Sequence, residues 1–373
     1  MPASKPRVAL VHDRLNVRGG AERVLEELAD LYPEAPIYTL IHNPHEFVQT
    51  PIAKHEIRAS FLNKLPLASS RHRIYIPLMP AAVAKFDLRE FDLVISSSAA
   101  FVHGVKTAPH QLHLSYIHSP MRYAWHQYQQ HLQLGYGTFP IRLLLATLRR
   151  WDRIASKHPD VLATNSAWTA SAIRTAFGRE AKVIHPPVHV ENFKPSSDRK
   201  DYYLTVCRLV PYKRVDLIAG AFNQLGRRLI IVGEGSELAK VKKLAASHIE
   251  ILPFQSQVKL AKLMAEARAF VYAAEEDFGI AAVEAQGAGT PVIAYGRGGL
   301  TETVVDHQTG LFFHKQTADE IIAAVKRFES IEKSFNPATI RRNAERFGAD
   351  HFRKKFSDFV AAQWKTFARK TKI

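Results

Sequence analysis

The stretch from Tyr272 to Gly289, YAAEEDFGIAAVEAQGAG, indicates the fold of the region around it. It begins at the end of a short apolar strand, continues through a cluster of acids to Phe278 and Gly279, and then becomes an alanine-rich helical run. Gly279 allows the backbone to turn tightly. Residues 280–282 are expected to present the free amides of a helix N-terminus, which bind anions. A buried strand, a tight turn and a helix in this order predict a parallel α/β sheet.

Two glutamates flank this turn. Glu276 lies shortly before it and Glu284 about two helical turns later, so both can approach one ligand without touching each other. An ionised carboxylate only accepts hydrogen bonds, so two carboxylates beside an anion site suit a ligand with both phosphates and hydroxyls, such as a nucleotide sugar. In the alternative interpretation, Glu276 is a solvated loop acid and Glu284 a surface helix residue, because most charged side chains are exposed.

The length and composition predict a two-domain globular protein with anionic partners. A chain of 373 residues exceeds the usual size of a single hydrophobic core. The formal net charge of +16 favours polyanions or an anionic membrane surface as partners. Cys207 is the single cysteine, so no internal disulfide can form, which is typical of a reducing cytosol. The N-terminal apolar run is too short for a signal peptide, and no run reaches the ~20 residues of a spanning helix, so we expect any membrane contact to be peripheral.

Strands and helices alternate along the whole chain, which predicts doubly wound parallel sheets. The first series ends at KVIHPP (182–187), followed by a polar, turn-prone segment that we interpret as a linker. A second series begins with the strand YYLTVCR (202–208). We therefore predict a Rossmann-like N-terminal domain over residues 1–187 and a Rossmann-like C-terminal domain over residues 188–350.

The last segment, residues 351–373, carries a large apolar stripe on one helical face. The stripe comprises Phe352, Phe356, Phe359, Val360, Trp364 and Phe367. A stripe of this size must pack against another part of the protein, so a C-terminal helix is expected to cover part of a preceding domain.

A diglycine, Gly19 and Gly20, separates the first strand, RVALVH, from a helical pattern. A strand, a glycine loop and a helix form a geometry in which backbone amides can approach a phosphate. The pattern is not the six-residue GxGxxG motif of dinucleotide-binding folds. A plain turn between a strand and a helix explains it equally well.

Several cationic or polar residues follow predicted strands directly, where ligands gather in open α/β sheets. Arg208 and Lys213 come after one strand, and a guanidinium beside an ammonium suits a diphosphate that gains charge as it leaves. Arg214 is the alternative to Lys213. His118 follows another strand, within HSPMRYAW, although most of the 18 histidines are expected to be surface or core residues. Gly233 lies in a GEG turn after a third strand.

Taken together, the block of strand, acid, FG, helix, second acid, GTPV and glycine-rich turn resembles the donor-binding signature of glycosyltransferase family 4. The resemblance extends over nearly the whole chain and is strongest over residues 202–310. The phrases HSPMRYAW and EEDFGI are similar to those of bacterial mannosyltransferases of the WbaZ kind.

The resemblance implies a GT-B fold, with two Rossmann-like domains facing a central cleft and a C-terminal helix that returns to the N-terminal domain. It implies that the N-terminal domain binds the acceptor and the C-terminal domain the nucleotide sugar. Arg208 and Lys213 would clamp the diphosphate, Glu276 the sugar hydroxyls, Glu284 the ribose hydroxyls, and His118 the sugar near the reacting carbon. The donor-binding set is Gly19, Gly20, Arg208, Lys213, Gly233, Glu276, Phe278, Gly279, Ile280, Ala281 and Glu284. The acceptor region comprises Arg122, Tyr123 and Trp125, whose aromatic rings core packing explains almost as well.

The implied activity is a retaining, metal-independent transfer of mannose from GDP-mannose to a polyprenyl-diphosphate-linked saccharide in bacterial surface polysaccharide (O antigen) synthesis. No cofactor is expected, and no metal, because no Asp-x-Asp and no zinc-ligand spacing occurs. Basic, partly apolar stretches at 54–89, at 140–157 and at the C-terminus predict a peripheral location on the inner face of the plasma membrane.

Three alternatives remain at this stage. The first is a family 4 enzyme that uses a UDP- or ADP-sugar. The second is a basic nucleic-acid-binding protein, which the net charge suggests and which would show steeply salt-dependent binding. The third is an enzyme of the same architecture with other chemistry, such as a nucleotide-sugar epimerase.

Overall fold

The computed structural model describes residues 6–125 and 139–371. The ends of the predicted domains, residues 1–5 and 372–373, lie outside the described part. The chain forms two compact units: a first unit of Met1–His185 with Phe352–Ile373, and a second unit of Pro186–His351. No helix in the described part is both long and apolar enough to cross a bilayer.

The first unit is built on a parallel sheet of seven strands in the order β3-β2-β1-β4-β5-β6-β7. The strands are β1 (Val8–Leu15), β2 (Ile37–His42), β3 (Ile57–Ala59), β4 (Leu93–Ser98), β5 (Leu112–Ile117), β6 (Val161–Thr164) and β7 (Lys182–Val183). The order reverses between β1 and β4, and such a topological switch point is where open α/β sheets bind ligands.

In the described part, the α-helices before the second unit are α1 (Gly20–Leu31), α2 (Met79–Ala84), α3 (Phe139–Ala155) and α4 (Ala167–Phe177). Local sequence sets the ends of α4: the Ser166 hydroxyl accepts from the Thr169 amide at its start, and Gly178 turns left-handed at φ +67° at its end. The alternation of strands and helices did not predict β3 or the series of short 3-10 turns between residues 44 and 78. These turns lack the apolar periodicity of a regular element.

The second unit contains a parallel sheet of six strands in the order β10-β9-β8-β11-β12-β13. Its strands are β8 (Tyr203–Val206), β9 (Leu229–Val232), β10 (Ile249–Leu252), β11 (Ala269–Tyr272), β12 (Val292–Tyr295) and β13 (Gly310–Phe313). Its helices are α5 (Val215–Leu225), α6 (Leu238–Leu244), α7 (Gln257–Glu266), α8 (Ile280–Gly287), α9 (Leu300–Thr303), α10 (Ala318–Ile331) and α11 (Pro337–Glu345). The switch point of this sheet lies between β8 and β11.

The segment that we predicted to be a linker is instead part of the second unit. Val188, Val190 and Phe193 are buried there, with no more than 3% of any of them exposed. A polar, turn-rich sequence indicates the absence of regular structure but does not exclude anchoring by a few apolar side chains.

The last helix, α12 (Ala349–Thr371), returns to the first unit, as expected. Phe352, Phe356 and Val360 are buried in a core that includes Leu10 and Tyr116 of the first sheet. The apolar stripe therefore covers one face of that sheet.

Candidate active site

The central feature of the second unit is a buried cluster of Lys213, Glu276 and Tyr272. Lys213 ends a 3-10 turn (Pro211–Lys213) that follows β8, and its ammonium is in direct contact with the Glu276 carboxylate. The Tyr272 hydroxyl accepts from Lys213 Nζ at 2.9 Å and donates to Glu276 Oε1 at 2.8 Å. Because β8 and β11 are neighbours at the switch point, residues that follow their carboxyl ends come together there.

Burial and the neighbouring charges act in opposite directions on the Lys213 ammonium in this cluster. The Lys213 and Glu276 side chains are only 12% and 10% exposed. Burial acts to lower the pKa of Lys213, but the charge of Glu276 and the other interactions of the ammonium together outweigh it, and the pKa lies above its ordinary value. Burial also raises the pKa of the neighbouring Cys207 thiol to about 12, which keeps the thiol protonated and inert as a nucleophile.

Arg208 is the exposed cation beside this cluster. It follows Cys207, and among the described residues it forms no salt bridge or side-chain hydrogen bond. Its loop is held by the GEG turn: a Cβ at Gly233 would lie 1.9 Å from the Cys207 carbonyl oxygen, and one at Gly235 would lie 2.2 Å from that of Leu209. The two glycines therefore allow a close backbone approach that positions Arg208.

The turn at Gly279 has the predicted form. Gly279 adopts φ +93° before α8, and a Cβ there would meet Leu300 at 2.5 Å, so only glycine fits. The Ala282 amide is not free as we expected, because it donates to the Gly279 carbonyl at 3.0 Å and tightens the first turn. In the described part, the amides of Ile280 and Ala281 have no such acceptor and remain able to bind an anion.

Two predicted donor residues near this turn are buried. Glu284 is 4% exposed, so it is not the surface helix residue of the alternative interpretation. Phe278 is 3% exposed, and its ring lies 5.4 Å from that of Phe347, edge to face. The Phe278 side chain is therefore an anchor for the turn, and only its backbone can contribute to a ligand site.

The glycine-rich turn after β12 supports the Glu276 loop from the other side. The Gly299 amide donates to the Glu276 carbonyl at 2.7 Å. A Cβ at Gly298 would lie 2.4 Å from the same carbonyl oxygen, and one at Gly299 would lie 2.2 Å from that of Asp277. These glycines thus hold the backbone of Glu276 in place.

In the first unit, the loop after β1 leads into α1 without a left-handed residue. Gly19 is extended at φ −150° and Gly20 is the first helical residue, so neither needs to be glycine for its backbone angles. A Cβ at Gly19 would instead lie 3.1 Å from Glu22 Oε2. The first glycine leaves room for the Glu22 carboxylate.

His118 directly follows β5, as predicted, and it ends a chain of hydrogen-bonded side chains. His118 Nε2 lies 2.8 Å from Ser97 Oγ, Ser97 Oγ lies 3.1 Å from His12 Nδ1, and His12 Nε2 lies 3.3 Å from Glu22 Oε1. Burial lowers the pKa of His118 to about 3. The imidazole is therefore neutral at neutral pH.

The predicted acceptor residues are largely engaged within the first unit. Tyr123 and Trp125 pack against its core. Trp125 Nε1 donates to the buried Asp152 carboxylate at 2.7 Å, and the guanidinium of Arg153 lies over its ring at 5.3 Å. Arg122 Nε lies 3.4 Å from Ser119 Oγ. Core packing thus explains both aromatic side chains, while Trp125 also borders a surface pocket of about 320 Å³.

The sequence interpretation missed four polar residues of these clusters: Tyr272, His12, Glu22 and Ser97. Tyr272 and Ser97 lie at or next to the carboxyl end of a strand at a switch point, Glu22 lies in the first turn of the helix after β1, and His12 lies within β1. A polar residue that interrupts an otherwise apolar strand end was the available signal. In the described part, no group of three or more histidine, cysteine, aspartate or glutamate side chains could hold a metal ion.

Comparison with solved structures defines the class of the fold. The chain resembles the crystal structure of Anabaena Alr3699/HepE in complex with UDP and glucose, with a TM-score of 0.73 over 96% of this chain and 100% of that one, at 18% identity. It also resembles sucrose-phosphate synthase from Thermosynechococcus elongatus, with a TM-score of 0.72 over 97% and 100% of the two chains, at 16% identity. The protein has the GT-B fold.

Sequence comparison shows that the second unit is similar to glycosyltransferases. The family model described as glycosyl transferases group 1 matches residues 190–347, which contain the Lys213 and Glu276 cluster. A GDP-mannose-dependent alpha-(1-6)-phosphatidylinositol monomannoside mannosyltransferase of Mycobacterium tuberculosis is 33% identical over 44% of this chain and 51% of its own. A D-inositol 3-phosphate glycosyltransferase of Mycobacterium marinum is 30% identical over 49% and 44%. The chain spans about half the length of these relatives.

Proposed function

We propose that this protein is a retaining glycosyltransferase of family 4 that takes mannose from GDP-mannose. The observation that carries the proposal is the Lys213–Glu276 pair at the second switch point, within the region matched by the family model. Arg208 and the amides of Ile280 and Ala281 follow the same two neighbouring strands, β8 and β11. Cations and amides suit a diphosphate, and a buried carboxylate suits sugar hydroxyls.

In this proposal the protein's own cations absorb the charge that the diphosphate gains as the sugar leaves. Arg208 and Lys213 contact the phosphates, the α8 amides assist, Glu276 and Glu284 accept from sugar and ribose hydroxyls, and His118 contacts the sugar. We propose that no metal takes part and that these cations provide the charge stabilisation. As the resemblance to family 4 implies, retention is proposed to use a front-face route, in which the acceptor oxygen bonds to the sugar carbon as the diphosphate leaves and a phosphate oxygen takes the acceptor proton. The raised pKa of the Cys207 thiol disfavours it as an alternative nucleophile.

The choice of donor rests on two kinds of similarity. The mycobacterial relative of 33% identity is named as GDP-mannose-dependent, and HSPMRYAW is similar to WbaZ-like mannosyltransferases. The structural neighbour with UDP keeps a UDP-sugar as the alternative donor. The proposed acceptor is a polyprenyl-diphosphate-linked saccharide of surface polysaccharide (O antigen) synthesis, which places the enzyme at the cytoplasmic face of the plasma membrane.

The test of the donor site uses Arg208→Gln, because Arg208 is exposed and its removal leaves the buried pair intact. Binding of GDP-mannose, UDP-glucose and ADP-glucose is measured by calorimetry. We expect GDP-mannose to bind best and Arg208→Gln to weaken it about 10- to 100-fold, since a charge-assisted hydrogen bond contributes about 1.5–3 kcal/mol. Arg228→Gln, an exposed arginine beside Glu250, is the control and should bind as wild type. Equal binding by the Arg208 variant would contradict the assignment.

Membrane docking is proposed for one face of the first unit. Phe61, Leu67, Ile74 and Leu78 are large apolar side chains with 38–63% of their surface exposed. The cations Lys64, Arg71 and Arg73 are exposed in the same stretch. In contrast, α12 buries much of its apolar face against its own unit and presents no comparable stripe. An apolar surface with interspersed cations is typical of binding to anionic bilayers.

Co-sedimentation with vesicles that contain phosphatidylglycerol tests this surface. The double change Leu67→Ser with Ile74→Ser should reduce the bound fraction several-fold. The control is Val258→Ser, which removes an apolar side chain that is 82% exposed in the second unit. Unchanged binding by the double variant would exclude this surface as the docking site.

A further inference from the structure

We infer that Glu22, His12 and Ser97 form a relay that fixes the tautomer of His118, so that its Nδ1 is held as a hydrogen-bond acceptor. The use of that acceptor rests on the proposed function, in which His118 meets a sugar hydroxyl. The relay itself rests on contacts within the first unit. It makes Glu22, His12 and Ser97 positioning residues, because they act through His118.

The relay crosses the first switch point. His12 on β1 and Ser97 on β4 are direct partners in the sheet, and His118 follows β5, the next strand. Glu22 lies in the first turn of α1. His12 and Ser97 are buried, with 1% and 0% of their surface exposed, whereas His118 is partly exposed. The chain thus runs from a carboxylate through the interior to an imidazole that a ligand can reach.

The direction of each hydrogen bond follows from the donors available. Burial acts to raise the pKa of Glu22, but the hydrogen bond with His12 and the other interactions of the carboxylate act in the opposite direction, and the pKa lies below its ordinary value. Glu22 is therefore ionised and can only accept, so His12 must carry a proton on Nε2. In the inferred relay His12 is neutral, so its Nδ1 is bare and accepts from the Ser97 hydroxyl. A doubly protonated His12 in the nitrogen spectra described below would overturn the relay, because both of its nitrogens would then donate.

The Ser97 hydroxyl links the protonation of His12 to that of His118 because it has a single proton to donate. Once Ser97 donates to His12, its oxygen can only accept from His118, so the His118 proton lies on Nε2. A neutral imidazole has one N–H, and Nδ1 of His118 therefore keeps its lone pair. In the described part, this nitrogen makes no hydrogen bond with the protein and is the atom left for a ligand hydroxyl.

The test is nitrogen NMR of ligand-free protein labelled at histidine, because the couplings of each ring nitrogen to the carbon-bound ring protons identify the protonated nitrogen. In wild type we expect a single His118 tautomer with the proton on Nε2. Ser97→Ala should shift the His118 nitrogens toward the average of two tautomers. Ser96→Ala is the matched control, since Ser96 lies beside Ser97 on the same buried strand but bonds to His113 instead.

Glu22→Gln tests the opposite end of the relay and keeps the test valid if Ser97→Ala does not fold. The glutamine amide can donate to His12 as well as accept, which releases the His12 tautomer and should move His118 toward Nδ1–H. A wild-type His118 protonated on Nδ1, or an unchanged His118 spectrum in both variants, would overturn the relay. Because the spectra need no substrate, this failure is distinct from failure to bind a nucleotide sugar, which would count against the proposed function alone.

Discussion

Lys213→Met is the change whose consequences the buried pair determines most directly. The substitution keeps the length of the side chain but removes its cation, and it leaves the Glu276 carboxylate, only 10% exposed, without that partner. Breaking one side of a buried ion pair costs about 3–5 kcal/mol. Because Tyr272 continues to donate a hydrogen bond to Glu276, we expect the free energy of unfolding to fall by about 3 kcal/mol, near the lower limit of this range.

The double variant Lys213→Met with Glu276→Gln supplies the decisive comparison. It removes both charges, so neither is left buried alone, and its free energy of unfolding should return to within about 1 kcal/mol of wild type. In Glu276→Gln alone, burial acts on Lys213 without the opposing charge, so the pKa of Lys213 should fall below its ordinary value. None of these variants should bind the nucleotide diphosphate normally.

The assay is urea unfolding at pH 7 followed by two signals. All four tryptophans, Trp125, Trp151, Trp168 and Trp364, belong to the first unit, so their fluorescence reports on that unit. Far-UV circular dichroism also detects the second unit, where the loss is expected. The buried pair would not have the role assigned to it if the free energy of unfolding of Lys213→Met lay within about 1 kcal/mol of wild type. The same conclusion would follow if the losses of stability in the two single variants simply added in the double variant.

Two further predictions concern packing and pH. Gly299→Ala should destabilise the second unit by about 2 kcal/mol and impair nucleotide binding, because its Cβ would lie 2.2 Å from the Asp277 carbonyl oxygen. The control is Gly220→Ala, where no atom lies within 4 Å of the added Cβ. In the same urea titration this variant should stabilise α5 by up to about 1 kcal/mol. Burial lowers the pKa of His113 to about 3, so below pH ~6.5 the unfolded chain binds a proton that the folded protein does not, and stability falls with falling pH by about 1.4 kcal/mol per unit for this residue. His113→Phe should remove that slope between pH 6.5 and 4, the exposed control His45→Gln should not, and equal slopes in all three proteins would contradict the assignment.

The buried pair also changes how loss of activity in simple variants should be interpreted. A truncation of Lys213 or Glu276 removes a predicted ligand contact and at the same time leaves a buried charge. Loss of transfer in such a variant does not separate a role in binding from a loss of stability. Arg208, which is exposed and unpaired in the described part, avoids this ambiguity.

Local sequence was sufficient to predict the order of the main elements. The apolar runs that became β1, β4, β5, β8 and β11 are bounded by turn residues, and burial of a parallel strand on both faces requires such runs. Gly279 was predictable for a similar reason, since a tight turn between strand and helix needs a residue without a Cβ. The return of the last helix followed from an apolar stripe too large to remain in water.

Tertiary structure alone decided which of these residues meet. Lys213 and Glu276 are distant along the chain, and they touch because β11 pairs with β8 rather than with β10, the strand before it in the chain. His12, Ser97 and His118 come together in the same way, from three adjacent strands. A local sequence pattern predicts which residues are close along the chain and which tend to be buried. Strand order and register instead follow from how all the strands and helices of a unit pack together. That packing determines which charged side chain each buried group contacts.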